Sequence, residues 1–397
     1  MKRTLPSLIK ALEKHRSTGK PLKAIVGFDA YIDSIQKIVN NNEDSQNHYF
    51  ETISDLATQL AALSGKNTKV NLRQLEMIMN GNAPILANSL GALGVKNICI
   101  ATMGYPDISG VFEEMHPNCE LVSIASPAKT TILEFNDGKI IFSEESTFEQ
   151  LTWSYVAAVA GVENLSRGIY ESSLLAFVNW ANIKYCTDIW KGFLEDIVVN
   201  LSPEATRQSP KYFSRNKIQE EEDAFGMRHK NFFFDLSDIS KRTKEEILEI
   251  LDVVGCYAQY GKVSLAMNES EAKYIYGLKQ DNPDATLPDI LKNIISTYHI
   301  QQIFVHAHEE ALMIYKNHVY EVKGKSSFQK RISTGGRDNF NAGACLGLML
   351  DLLPEQILAL AVGNYEAYLG TGASLELSEL IDYLKDWEKE RHHEVLV

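Results

Sequence analysis

The stretch Ser333 to Asp351, STGGRDNFNAGACLGLMLD, constrains this chain more than any other. From about Asn339 the residues Phe340, Ala342, Ala344, Cys345, Leu346, Leu348, Met349 and Leu350 are apolar around nearly the whole helical circumference, so they predict a helix buried on most sides. The adjacent glycines Gly335 and Gly336 allow backbone conformations that gather N–H groups on one concave face. The helix N-terminus that follows carries unpaired N–H groups and roughly half a positive charge, which suits a phosphate. Asp338 stands in the same place. A carboxylate beside a phosphate site has a reason to be there if it takes a proton; otherwise it is an ordinary helix-start acid.

Four further stretches carry chemistry. GFDAYIDSI, residues 27–35, is a buried strand, a glycine and then two acids, Asp29 and Asp33. MNGNAPILANSLGALGVKNICIATMG, residues 79–104, reads as a glycine turn, a small-residue helix over 87–93 closed by Gly94, and a strand over 97–102. Such a unit fits many doubly wound proteins, but without G-x-G-x-x-G its dinucleotide reading fails. VSLAMNESEAKYIYG, residues 263–277, is a strand followed by Asn268 and Glu271 on one helix face, which as a local pattern is also a capping-box variant. FNDGK, residues 135–139, is an Asp-Gly hairpin signal between two strands. Between them, residues 40–75 are polar and helical in pattern, 174–180 and 231–235 are buried strands, the second ending in Asp235, and 244–252 is an amphipathic helix.

In the chain order GFDAYID, GNAPILANSLGALG, NESE and TGGRDNFNAG, these stretches resemble the ribokinase-like (PfkB) carbohydrate kinases over about residues 22–375. The resemblance implies one three-layer α/β domain, an αβα sandwich around a mostly parallel sheet, spanning residues 1–397 with lid elements within 33–75 and 120–145. It implies transfer of the ATP γ-phosphoryl group to a hydroxyl of a sugar or sugar-like molecule. Asp338 would be the base, and Gly335, Gly336 and Arg337 the anion turn, with Arg337 where the family has its second glycine. Asp33, with Asp29 as second choice, would bind sugar hydroxyls, together with Gly81, Asn82 and Thr131 or its neighbour Thr130. Asn268 and Glu271 would organise Mg2+ around the phosphates. His308, Gly363 and Asn364 would approach the nucleotide, His308 again replacing a glycine. Ile85 replaces an asparagine that helps hold substrate in the family. These departures motivate a second reading, a family member with weakened catalysis that serves as a small-molecule-binding or regulatory protein.

Composition narrows the rest. A formal charge of −13 argues against a general nucleic-acid binder, which needs a basic face. Five scattered cysteines without a C-x-x-C pair indicate neither a disulfide framework nor a zinc site, and point to a reducing cytoplasm. No apolar window has membrane length, and the basic N-terminal stretch lacks a signal core, so no membrane partner is expected. The partners expected are a sugar-like substrate and a nucleotide, with a homodimer as the assembly the family resemblance allows.

Overall fold

In the computed structural model, residues 3–40, 48–67, 69–201, 230–280, 282–306, 310–332 and 334–394 are described. Thirteen strands among them form two sheets: β1 Leu22–Phe28, β2 Tyr31–Ile38, β3 Leu72–Asn80, β4 Val95–Ala101, β5 Cys119–Ser123, β6 Ala128–Phe135, β7 Gly138–Glu144, β8 Leu174–Phe177, β9 Asn231–Asp235, β10 Lys262–Met267, β11 Gln302–His306, β12 Glu310–Tyr315 and β13 His318–Lys323. The α-helices are α1 Thr4–Thr18, α2 Ile53–Ala62, α3 Asn82–Ala92, α4 Trp153–Ala160, α5 Val162–Glu171, α6 Cys186–Gly192, α7 Lys244–Cys256, α8 Glu269–Gly277, α9 Leu287–Tyr298, α10 Gly336–Met349, α11 Pro354–Thr371 and α12 Leu377–Glu394.

The larger sheet runs β13-β12-β11-β10-β9-β8-β1-β4-β5, parallel from β11 to β5 and antiparallel at β12 and β13. A parallel strand between helical layers must be apolar on both faces. In β8 that demand is met residue by residue: Leu174 and Ala176 pack into one core with α3 and α10, while Leu175 and Phe177 pack into the other with α7 and α9. The architecture is therefore three-layered, helices on both sides of a mostly parallel sheet, as the sequence led us to expect. Strand order reverses between β1 and β8, and in such sheets ligands bind beyond the carboxyl ends of the strands at that crevice.

The second sheet has four strands in the order β3-β2-β6-β7. It leaves Leu72, Leu75, Met77, Ile141 and Phe142 exposed on its surface. The helical pattern expected over 40–75 holds only for α2; from Leu72 the chain is strand, because β2 offers an edge that the alternating LRQLEMIMN can pair with. No helix among the described residues is long and apolar enough to cross a membrane. Residues 41–47 and 202–229 lie outside the description.

Candidate active site

Helix α10 begins at Gly336, three residues before the apolar run from Asn339, so that Gly336, Arg337 and Asp338 form its first turn, which is pressed from behind by α11. Gly335 is left-handed (φ 75°), and a Cβ there would lie 2.5 Å from the Tyr368 hydroxyl. A Cβ on Gly336 would lie 2.6 Å from the Tyr365 ring. Both glycines are thus fixed by sterics as well as by the turn. The backbone N–H of Asn339 closes onto Gly335, which leaves those of Gly336, Arg337 and Asp338 as helix donors without a partner among the described residues. Asp338 is buried, and burial pushes its carboxyl well above the usual carboxylate range, opposed by the amide of Asn82.

That amide comes from the other end of the chain. Asn82 Nδ2 donates to Asp338 Oδ1 at 2.9 Å. Asn82 is held by Asp29, which sits just past β1 with no exposure and accepts the backbone N–H groups of Asn82 and Ala83 at 2.8 and 2.9 Å. Asp29 also accepts Asn179 Nδ2 at 2.7 Å. Burial nonetheless raises its pKa to about 6, with the Ala83 N–H, the Asn179 amide and the Asn82 N–H all opposing. The two backbone contacts cap the N-terminus of α3 and the Asn179 contact ties it to the turn after β8, so the fully buried Asp29 is a positioning residue and not the open sugar contact considered from sequence. Gly81, the N-cap of α3, is bound to the same arrangement: at φ 112° its Cβ would meet Ala30 and the Asp29 carboxylate at about 3 Å. Asn179, left-handed after β8, was not singled out in the sequence; a lone Asn after a strand gives no signal of what it reaches.

Asp33 lies on β2 of the smaller sheet, 5% exposed. Its Oδ2 accepts Asn80 Nδ2 at 2.7 Å, while Oδ1 is buried without a hydrogen-bond partner among the described residues. Burial raises its pKa, opposed by that amide and then by the Thr130 hydroxyl. The β2–β6 pairing puts Thr130 beside Asp33 on the same face. Thr131 pairs with Ser34 and with the exposed Phe142, so it belongs to the opposite face; of the two threonines weighed, Thr130 is the one beside the acid.

Three further expectations require correction. Asn268 and Glu271 form a reciprocal capping box at 2.7 and 2.8 Å, so the local reading of that tetrapeptide is realised. Arg337 neither points freely at the anion turn nor turns away to solvent. Its guanidinium forks onto Asp235 at 2.7 and 2.8 Å and onto Glu271 at 3.0 Å, so the metal acid expected in Glu271 carries a protein cation. Burial raises Glu271 and Arg337 opposes the shift; burial likewise disfavours the Arg337 charge, but Asp235 and Glu271 more than restore it. Gly363 faces Leu384 and Leu380 of α12 inside the core, and Asn364, 1% exposed, donates to Ser89 and to the Asn339 carbonyl. Both are taken up in helix packing rather than open to a ligand. His308 lies outside the described residues.

Comparison with known proteins now decides the family. The family model for prokaryotic ketohexokinase matches residues 4–212, more than half of the chain. The chain belongs to that family. A ketohexokinase of Haloferax volcanii is 21% identical over 373 residues, covering 90% of this chain and 89% of its own length. The fold is shared with a nucleoside kinase of Methanocaldococcus jannaschii, described as an archaeal member of the ribokinase family (TM-score 0.57, 13% identity, 92% of this chain and 98% of that one). It is shared also with an Escherichia coli structure containing ATP and Mg2+ (TM-score 0.58, 11% identity, 92% and 99%). This member of the prokaryotic ketohexokinases is thus an ATP-dependent carbohydrate kinase of ribokinase-like fold.

Proposed function

We propose that this chain transfers the γ-phosphoryl group of ATP to a hydroxyl of a ketohexose, with Asp338 as the base. The observation that carries the reading is the meeting of Asp338 with Asn82 at the unpaired N-terminus of α10. In the reaction the substrate hydroxyl loses its proton to an Asp338 carboxylate oxygen while the hydroxyl oxygen forms the new bond to the γ-phosphorus. The bond from that phosphorus to the bridging oxygen breaks, and ADP leaves. The N–H groups of Gly336, Arg337 and Asp338, with the helix dipole, stabilise the charge spread over the transferring group. Asp33, with its unengaged Oδ1, would accept a sugar hydroxyl, and Thr130 and the Asn80–Asn82 turn would complete the pocket.

The whole chain would work as one kinase domain, with the four-stranded sheet as the lid that carries Asp33 over the sugar. Mg2+ would accompany ATP. The residues present do not fit an ion held directly by Glu271, because each of its carboxylate oxygens already accepts from Arg337.

The test is ADP release with a panel of ketohexoses and aldohexoses, using the parent and Asp338→Asn. The parent should turn over ketohexoses preferentially, and Asp338→Asn should lose at least about 100-fold in kcat, the effect of a positioned base, while still binding sugar by calorimetry. A variant nearly as fast as its parent would rule Asp338 out as the base.

A further inference from the structure

Two carboxylates and one guanidinium meet at the C-terminal edge of the main sheet. Asp235 ends β9, Glu271 lies in the first turn of α8 and Arg337 in the first turn of α10. Arg337 Nε and Nη2 donate to Asp235 at 2.8 and 2.7 Å, and Nη1 and Nη2 donate to the two oxygens of Glu271 at 3.0 Å each. Asp235 also accepts the Ser237 N–H and Asn341 Nδ2, and Glu271 the Asn268 N–H. All four carboxylate oxygens therefore carry at least one donor.

A Mg2+ ion needs near-octahedral oxygens at about 2.0–2.1 Å. It cannot bind this pair without evicting the guanidinium, a group that cannot escape by losing its proton. The arginine is also the outward member of the cluster. Its side chain is 29% exposed, against 0% for Asp235 and 8% for Glu271. Four of its five N–H bonds are engaged, and the second N–H of Nη1 has no acceptor among the described residues.

We propose that Arg337 is a fixed phosphate-binding cation of the nucleotide site, carried by the chain where a protein-held divalent ion would otherwise balance Asp235 and Glu271, and that this acid pair is closed to metal. The proposal rests on the reading of the Gly335 to Asp338 turn as the phosphoryl-transfer site. Two buried acids beside that turn would repel a polyphosphate, and the guanidinium cancels one of those charges. The bidentate hold fixes its plane before a ligand arrives, so little side-chain freedom remains to be lost on binding. Metal then enters only on the nucleotide, held by phosphate oxygens and water.

The experiment has two arms. In the first, Mn2+ is titrated without nucleotide and its free signal followed by electron paramagnetic resonance. The parent should hold no Mn2+ at this pair, Arg337→Gln should gain a site, and Glu271→Gln added to it should abolish that site. In the second, ADP binding is measured by calorimetry in EDTA and in Mg2+. Arg337→Gln should weaken metal-free ADP by about 10–100-fold, the equivalent of one charge-assisted hydrogen bond, and weaken the Mg2+ complex less. Should Arg337→Gln not fold, Arg337→Lys keeps the charge without the fork and should weaken metal-free ADP in the same direction but by less. The Mn2+ comparison of the parent with Glu271→Gln needs no arginine variant. A parent that binds Mn2+ at a site lost in Glu271→Gln overturns the proposal, and so does metal-free ADP affinity that is unchanged without the arginine. Failure of the parent to bind ADP in either buffer would instead sink the phosphoryl-transfer reading on which the proposal stands.

Discussion

Asn82 and Asp338 are 256 positions apart, yet one hydrogen bond between them bears on the ionisation of the proposed base. A general base must be ionised to act, and burial works against ionisation at Asp338, while the Asn82 amide donates to the charged form. Removing that donor has a definite sign. Asn82→Ala should push the Asp338 carboxyl still higher, so the acid limb of the kcat/KM profile should move to higher pH and turnover near neutrality should fall. A profile that stays in place while only KM for sugar rises would make Asn82 a substrate contact and nothing more. Asp29 acts one step further back, because it holds the Asn82 and Ala83 backbone and touches no open surface.

At the scale of elements, the face of a strand decides which side chain can meet the sugar. Thr130 shares the face of Asp33, and Thr131 the face of the exposed Phe142. Thr130→Val should therefore raise KM for the sugar severalfold, on the order of one lost hydrogen bond of about 1 kcal/mol, and Thr131→Val should leave it alone. Equal effects from the two would mean that the lid strand is not the sugar-facing element. The sequence held the period of these strands but not their register, and a shift by one residue exchanges the faces. The same limit explains the other differences. Apolar spacing made the buried α10 and its glycine start legible, and Asn-x-x-Glu made the start of α8 legible. Where Arg337 reaches, and that Asn364 is taken by Ser89 and Asn339, depend on how α8, α10 and α11 pack, which no local pattern encodes. Asn179 reaches Asp29 from a position 150 residues away, with nothing in its own neighbourhood to announce it.

Across the whole molecule, α11 is the post that holds the glycine turn at the start of α10. Tyr365 and Tyr368 press on Gly336 and Gly335, the Leu369 carbonyl accepts the N–H groups of Arg331 and Ile332, and Asn364 holds the Asn339 carbonyl. From the same helix Glu366, 6% exposed, accepts the Lys325 N–H on both oxygens at 3.1 Å and the Tyr383 hydroxyl of α12 at 2.9 Å. Burial raises the Glu366 carboxyl from 4.5 to about 7, against the Lys325 N–H, the Tyr383 hydroxyl and the Lys325 charge, while Glu390 adds to the rise. A carboxyl raised on folding favours the folded state while it is protonated. Its contribution is complete below the unfolded value of 4.5 and is lost as pH rises through about 7. Glu366→Gln cannot titrate and keeps a similar shape, so the stability difference between parent and variant isolates this group from Asp29, Asp33 and Asp338, whose carboxyls are also raised. From pH 4.5 to 8 the parent should lose on the order of 2–3 kcal/mol relative to the variant, read from urea unfolding at each pH. A difference that stays flat over that range would show that Glu366 titrates alike in the folded and unfolded chain, and the tie between α11 and the segment leading to the turn would then not depend on its protonation.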